Sequence, residues 1–216
     1  MDPIPGKVFP VRRIDFLSDF KQYPAQLSFQ GMWQPLLFLF LYLYANPSLM
    51  KDPLLFDFGA KNDFDKWSIV NDGVMGGLSQ SKATLDGDAI LFAGNVSLKN
   101  NGGFVSLRSA MGNYDLSYYT YCEIRFKSDT KRKFEILIEK DTPFYLPKFR
   151  VMFGASKNDW ETIIIPLRDF EISRMGNTMQ RGIDPEVLKG IQRIGFILAD
   201  KQEGSFQLWI DYLKFY

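Results

Sequence analysis

The sequence predicts an all-β protein, a β-sandwich of jelly-roll type, and three observations support this fold class. The 216 residues include 20 Phe and 10 Tyr, which favour strands over helices. Several segments alternate apolar and polar residues with a period of two, as strands with one buried face do. Turn signals separate these segments at intervals of about ten residues, as in antiparallel sandwiches. A chain of 216 residues is long enough for one such domain.

From Leu54 onward, the alternation marks the strands and the side chains that face the core. The rows predicted to point inward are Cys122, Ile124 and Phe126; Phe134, Ile136 and Ile138; Ile194, Phe196 and Leu198; and Phe206, Leu208 and Ile210. The last row continues at Leu213 and Phe215, one residue out of phase. A β-bulge near Asp211-Tyr212 would account for this slip, because a bulge adds one residue to a strand.

Turn and helix signals lie between the strands. Turns are predicted at Asp86-Gly87, Asn100-Asn101-Gly102-Gly103, Ser128-Asp129 and Glu203-Gly204. A short helix is predicted near residues 184–190, with Asp184 as its N-cap and Pro185 in its first turn. Other helix signals are few, so the predicted class stays all-β.

The first fifty residues differ from the rest of the chain. Residues 1–31 are rich in proline and scattered charges, and we interpret them as a weakly ordered extension or as spurious translation upstream of a start at Met32. Residues 32–50 are interpreted as a signal-like or tethering segment, because residues 36–45 form an uninterrupted apolar run. This run is shorter than the roughly 20 residues of a transmembrane helix. A buried strand or helix is the alternative interpretation.

These features predict a location. The N-terminal region lacks the arginine-rich, acid-poor composition of a mitochondrial presequence. The apolar run favours export or membrane association of a bacterial type over a mitochondrial or cytoplasmic location. Residues 36–45 could also contact a membrane.

Composition and charge exclude several classes of function. Basic and acidic residues number 26 and 25, so a net charge of +1 provides no field to hold a nucleic acid. The chain has no His, which excludes Ser-His-Asp and Cys-His catalysis within it. Its single Cys, Cys122, cannot build a closed zinc site without His. No catalytic residue, cofactor or metal is predicted, although Asp86-Gly87-Asp88 leaves calcium open.

The most distinctive segment is Asn71-Asp72-Gly73-Val74-Met75-Gly76-Gly77-Leu78-Ser79, with Trp67 ahead of it. Its glycines argue against a regular strand and its apolar residues against a flexible linker. We interpret it as a tightly folded, partly buried turn. In the favoured interpretation Asp72 caps backbone amides, and Gly76-Gly77 permit positive φ beside Trp67. In the other, the segment is a loop that binds a ligand or a partner.

The same segment resembles the signature of the complex I intermediate-associated protein 30 family. Further blocks fit that family in order and spacing: Phe92-Ala93-Gly94-Asn95-Val96-Ser97; Asn101-Gly102-Gly103-Phe104-Val105-Ser106-Leu107-Arg108; Trp160; Pro166 with Asp169-Phe170; and Ile194-Gly195-Phe196 through Asp200, Gly204, Phe206, Leu208 and Ile210. The resemblance runs from about Phe56 to Tyr216 and implies a galactose-binding-like jelly roll for residues 51–216. It also implies a domain that binds without catalysis, as the family's mitochondrial assembly factors for respiratory NADH:ubiquinone oxidoreductase do.

The candidate partner- or ligand-binding residues are Trp67, Asn71, Asp72, Met75, Arg108, Tyr114, Tyr118 and Tyr119. Arg108 could recognise a carboxylate or pair with Asp72. The tyrosines suit sugar stacking or a protein interface; alternatively they pack along a sandwich edge with their hydroxyls in water. Glu135 and Glu139 lie on one outward strand face and are predicted to be solvated, which argues against glycoside hydrolysis.

The predicted function is therefore a non-enzymatic, assembly-factor-like domain that binds a protein partner, such as an assembly intermediate of a respiratory complex. The alternative is a carbohydrate-binding module of an exported protein. An enzyme is the weakest of the three hypotheses, because the sequence offers no His, nucleotide-binding loop or metal cluster.

Overall fold

The computed structural model describes residues 51–60, 63–140, 143, 145–154, 158–174 and 177–216. Two sheets of six and seven strands make up this part of the chain, which confirms the predicted all-β sandwich. In chain order the strands are β1 (Leu54–Asp57), β2 (Trp67–Asn71), β3 (Gln80–Asp86), β4 (Ala89–Val96), β5 (Val105–Ser109), β6 (Tyr121–Ser128), β7 (Lys133–Glu139), β8 (Lys148–Gly154), β9 (Glu161–Pro166), β10 (Glu171–Arg174), β11 (Asn177–Arg181), β12 (Arg193–Leu198) and β13 (Gly204–Phe215).

The six-stranded sheet has the order β3-β4-β13-β6-β9, and β1 pairs with the end of β13. β13 changes its partner along its length: residues 204–210 pair with β4, and residues 212–215 pair with β1. Between the two stretches, the register of β13 against β6 shifts at Asp211. This shift is the predicted β-bulge, and it keeps both Ile210 and Leu213 in the core.

The seven-stranded sheet has the order β11-β10-β8-β7-β12-β5-β2. β7 shows how its two faces differ: Ile136 and Ile138 join the core, while Glu135 and Glu139 point to the outer face. β2 forms one edge of this sheet and ends where the glycine-rich segment begins.

The core lies between the two sheets, and the predicted inward rows all contribute to it. Every residue of those rows is buried, including Leu213 and Phe215 after the bulge. At one side of the core, the Trp67 ring stacks on Phe196 and meets the edges of Phe56 and Phe58. These ring contacts join the start of the described chain to β2 and β12.

Tight turns and single-turn 3₁₀ helices connect the strands. The 3₁₀ helices are Asp63–Lys66, Asp72–Met75, Lys99–Asn101, Leu167–Asp169 and Val187–Gly190. All the predicted turns lie at or between strand ends; for example, β3 ends at Asp86 and Gly87 follows it. The helix predicted near residues 184–190 is the last of these 3₁₀ turns, and it begins at Val187, later than predicted. Asp184 lies ahead of this turn, and its carboxylate accepts a hydrogen bond from the backbone amide of Glu186.

Residues 1–50 lie outside the described residues, and so do the predictions for residues 1–31, 32–50 and 36–45. In the part of the chain that the structure covers, no helix combines the length and the apolar composition of a membrane-crossing segment.

Candidate functional site

The candidate site consists of two turns that lie side by side, residues 71–79 and residues 97–104, hereafter the joined turns. The first carries the chain from β2 in the seven-stranded sheet to β3 in the six-stranded sheet. The second carries it back, from β4 to β5. Because both segments cross between the sheets, they meet at the same end of the sandwich, and hydrogen bonds fasten them together.

The Asp72 carboxylate is the centre of these hydrogen bonds, and its residue is only 1% exposed. It accepts hydrogen bonds from the amide of Ser79 at 2.9 Å, the amide of Gly103 at 2.6 Å and the amide of Phe104 at 3.2 Å. The Ser79 hydroxyl donates a further hydrogen bond to Oδ2. One buried side chain thus satisfies backbone donors in both turns, which is the architectural role predicted for Asp72.

Hydrogen bonding also sets the acidity of this group. Burial raises the pKa of the Asp72 carboxyl, but the hydrogen bonds from Ser79, Gly103 and Phe104 together outweigh burial and leave the pKa below its ordinary value. The carboxylate is therefore charged at neutral pH and acts as a fixed acceptor.

Two glycines make room for the carboxylate. A Cβ on Gly77 would lie 2.4 Å from Cγ of Asp72, and a Cβ on Gly102 would lie 2.6 Å from its Oδ2. Both distances are too short for real contacts, so a side chain at either position would displace the carboxylate from its donors. Of the two glycines predicted to adopt positive φ, Gly76 does so, with φ 87°, whereas Gly77 is required by the close approach of Asp72.

Further hydrogen bonds tie the turns to each other. The Ser79 hydroxyl bridges them, since it accepts from the amide of Ser97 at 3.0 Å and lies 3.2 Å from the Ser97 carbonyl oxygen. The side-chain amide of Asn100 donates to the carbonyl of Gly76 at 3.3 Å. The joined turns are accordingly a braced unit, in which each turn restricts the movement of the other.

Apolar side chains project from this unit into solvent. Val74 is 73% exposed, Met75 55%, Leu78 53% and Leu98 42%. The sequence predicted a partly buried turn at residues 71–79, and that prediction is wrong for Val74, Met75 and Leu78, because Asp72 and the backbone fill the interior and leave these side chains outside. Met75 was a predicted site residue, whereas Val74, Leu78 and Leu98 were not. Their only signal in the sequence was apolar character inside a glycine-rich turn.

Trp67 and Asn71 have structural positions. Trp67 is buried in the core among Phe56, Phe58 and Phe196, so it is not placed for direct contact with a partner. Asn71 accepts a hydrogen bond from the hydroxyl of Ser81 at 2.7 Å and thereby ties the end of β2 to β3.

Arg108 does not pair with Asp72. Its guanidinium contacts both carboxylate oxygens of Glu139, at 3.2 and 3.3 Å, on the outer face of the seven-stranded sheet. Glu135 and Glu139 do point outward, but the prediction that they are solvated is wrong: both are buried by the basic side chains that pair with them. Arg108 pairs with Glu139 on the outer face of the sheet. The Asp72 carboxylate already accepts hydrogen bonds from backbone amides of the joined turns.

The three candidate tyrosines do not share one environment. Tyr119 is buried and donates from its hydroxyl to the carbonyl of Asp52 at 2.9 Å. Tyr114 is half-buried and donates to the carbonyl of Ala110 at 3.1 Å. Tyr118 is exposed, with the Lys51 ammonium 4.5 Å from the centre of its ring. Nearby, Tyr119 and Tyr121 line a cavity of about 280 Å³.

Neither a metal site nor a reactive thiol emerges from the residues that the structure describes. No three His, Cys, Asp or Glu side chains among them gather as metal ligands. Cys122 is buried in the apolar row of β6, and this burial raises the pKa of its thiol far above the ordinary value.

Solved structures with a similar fold include carbohydrate-binding modules. A family 11 module from Clostridium thermocellum, in complex with a β-1,3-1,4-mixed-linked tetrasaccharide, has a TM-score of 0.55 and 18% identity, covering 76% of this chain and 94% of its own. The family 11 module of a cellulosomal cellulase of the same organism has a TM-score of 0.54 and 16% identity, covering 75% and 93%. At these identities the likeness concerns the fold alone.

Two curated relatives carry the same name. A protein of Mus musculus called "Complex I intermediate-associated protein 30, mitochondrial" is 28% identical over 182 residues, which are 74% of this chain and 55% of the relative. The protein of the same name from Neurospora crassa is 27% identical over 106 residues, 47% of this chain and 36% of the relative. The chain thus spans about half or less of the length of these relatives.

These names overturn the predicted location. Export or membrane association of a bacterial type was favoured over mitochondria, and both relatives are named as mitochondrial proteins. The prediction was wrong because it depended on the apolar run 36–45 and on the charges of the first 31 residues. A short apolar run is equally compatible with a buried segment, so it does not determine a compartment.

A sequence profile identifies the family of this chain. The profile of the Complex I intermediate-associated protein 30 family matches residues 56–210, which include the joined turns and all strands from β2 to β12. The resemblance proposed from the motifs is confirmed, and the chain belongs to the Complex I intermediate-associated protein 30 family.

Proposed function

We propose that this chain is a non-catalytic binding domain that engages a protein partner during the assembly of respiratory complex I. The observation that carries the proposal is the set of exposed apolar side chains on the joined turns: Val74, Met75, Leu78 and Leu98. Family membership and the names of the curated relatives support the choice of partner, and those names also favour a mitochondrial location.

The joined turns suit recognition of a protein surface. Apolar side chains in water do not stabilise the isolated domain, but their burial against a partner is favourable. Their backbone is held by the buried Asp72 carboxylate, so docking would require little ordering of the loop. Met75 adds a side chain that adapts its shape to irregular surfaces.

Affinity purification from the native cell tests this function. The full chain, tagged, is expected to capture subunits of complex I, identified by mass spectrometry after separation on native gels. A Val74→Ser/Met75→Ser variant is expected to reduce that capture at least tenfold, because truncation of central apolar contacts costs about 1–2 kcal/mol each.

Met179→Ser is the matched control, since Met179 is 60% exposed on β11, away from the joined turns. It should capture the same subunits as the unmodified chain. Equal losses in both variants would contradict a role for the joined turns, and the absence of complex I subunits from all samples would contradict the proposed function itself.

A second candidate function is carbohydrate binding, favoured by the cavity of about 280 Å³ beside Tyr119 and Tyr121. Tyr121 is partly exposed there and offers a ring face for stacking on a sugar. A glycan array separates the two functions: binding of a soluble glycan that is lost in Tyr121→Ala and that raises the melting temperature would favour the sugar.

A further inference from the structure

On the outer face of the seven-stranded sheet, three basic side chains gather around one buried glutamate. The basic cluster, as we name it, consists of Arg108, Lys148 and Arg193 around the carboxylate of Glu139. Nε of Arg193 lies 2.8 Å from Oε2, while Nη1 of Arg108 and Nζ of Lys148 each lie 3.2 Å from Oε1. The side chain of Glu139 is 1% exposed.

The strand register builds this cluster from four neighbouring strands, β8, β7, β12 and β5. Arg193 lies directly opposite Glu139 on the adjacent strand. Arg108 is one strand further away and lies opposite Gly195. A Cβ at Gly195 would be 3.1 Å from Cγ of Arg108, so the missing side chain lets Arg108 extend across β12 to Glu139.

A hydroxyl fixes the orientation of Arg108. Nε of Arg108 donates to the Ser106 hydroxyl at 2.9 Å, and that hydroxyl donates in turn to the carbonyl of Val70 at 2.6 Å. The guanidinium is therefore held in one position before any partner arrives, which lowers the entropic cost of binding.

Two guanidinium groups share one carboxylate in the basic cluster. Arg108 and Arg193 both pair with Glu139, and their side chains are only 13% and 18% exposed. Burial lowers the pKa of Arg108; Glu139 opposes that effect and Arg193 adds to it. Two partly desolvated cations that share one carboxylate would be stabilised by a second anion.

Hydrogen-bond donors for that second anion are present. A guanidinium has five N–H groups in a planar fork. Arg193 uses Nε toward Glu139, and Arg108 uses Nε and Nη1. Within the described residues, Nη2 of Arg108 and both terminal nitrogens of Arg193 make no hydrogen bond to the protein. These donors match the two oxygens of a carboxylate better than a neutral ligand.

We propose that the basic cluster is a docking site for an Asp or Glu side chain of the protein partner. This inference rests on the proposed function for the identity of the partner, and it adds a second contact surface to the joined turns. A carboxylate is favoured because the site already accommodates one, Glu139, through the same two arginines.

Titration of the full chain with a hexaglutamate peptide at low salt tests the site. The Nε–Hε NMR signals of Arg108 and Arg193 are expected to shift as the peptide is added, while that of Arg181, 88% exposed on the same face, stays in place. Arg193→Gln should weaken peptide binding at least tenfold, and the control Arg181→Gln should change it less than twofold.

The NMR measurement uses the unmodified chain, so it decides the question even if Arg193→Gln does not fold. Equal weakening by both variants, no binding, or shifts confined to exposed arginines would overturn the docking site. In cells, Arg193→Gln capturing complex I subunits as well as the unmodified chain would overturn this site and leave the proposed function intact. Peptide binding at Arg193 without capture of complex I subunits would retain the carboxylate site and overturn the proposed function.

Discussion

Replacing Asp72 by Ala removes the group that fastens the joined turns, and the structure sets the size of the effect. The carboxylate accepts from the backbone amides of Ser79, Gly103 and Phe104 in a site where its own residue is 1% exposed. A buried amide that loses its acceptor costs about 1–1.5 kcal/mol if water partly replaces it. Three such amides give a loss of about 3–5 kcal/mol. For a domain of this size that corresponds to a drop in melting temperature of roughly 6–20 °C.

Urea unfolding of the full chain, followed by tryptophan fluorescence, measures this loss. Asp129→Ala is the matched control, because it makes the same chemical change at an exposed turn residue between β6 and β7. The control should unfold within about 0.5 kcal/mol of the unmodified chain. If Asp72→Ala also stays within about 1 kcal/mol of the unmodified chain, which is less than the cost of one amide that loses its acceptor, the carboxylate does not organise the turns. Loss of partner binding in a fully stable Asp72→Ala protein would also refute the structural role.

The same carboxylate predicts how the loss depends on pH. The folded pKa of Asp72 lies below its ordinary value, so the charged form contributes stability above the unfolded pKa of about 3.9. That contribution is lost as the pH falls through the folded pKa. The stability difference between the unmodified chain and Asp72→Ala should therefore be constant near neutral pH and shrink below about pH 4.

Three further changes test other parts of the structure. Gly77→Ala would place a Cβ 2.4 Å from Cγ of Asp72 and should cost about 2–3 kcal/mol in urea unfolding, whereas Gly73→Ala, where a Cβ meets nothing within 4 Å, should be nearly neutral. Trp67→Phe should cost less than about 1 kcal/mol, because among the described residues the buried indole N–H has no acceptor; Trp67→Ala should cost about 3–5 kcal/mol. Cys122 should resist a thiol reagent in the native protein and react fully in urea, because burial raises the pKa of its thiol; rapid native labelling would contradict its position in the core.

Strands β6, β7, β12 and β13 were predictable because each directs a row of side chains into the core. Every residue that alternation placed in those rows is buried, and a one-residue slip located the bulge at Asp211. Burial of one face imposes a period of two on the sequence, and no tertiary information is needed to detect it. The helix near residues 184–190 was less predictable, since Asp184 and Pro185 are as compatible with a 3₁₀ turn as with an α-helix.

The exposure of several polar and apolar groups was not predictable, because it depends on contacts between distant segments. Asp72 is buried since Gly103 and Phe104, about thirty residues further on, supply its donors. That contact fills the interior of the turn, so Val74 and Met75 remain outside. Glu139 is buried for a related reason: basic side chains from three other strands converge on it. A local pattern contains neither set of partners.

The joined turns separate the residues that hold the site from the residues that would contact a partner. Asp72, Ser79 and Gly77 face inward, and changing them alters the unfolding free energy together with the shape of the loop. Val74 and Met75 face outward, and changing them should leave the unfolding free energy within about 0.5 kcal/mol of the unmodified chain. The two groups alternate along one segment of nine residues, so a deletion of the segment would not distinguish them. Paired measurements of stability and capture distinguish the two groups. Replacing an inward-facing residue should lower both quantities, whereas replacing an outward-facing residue should lower capture alone.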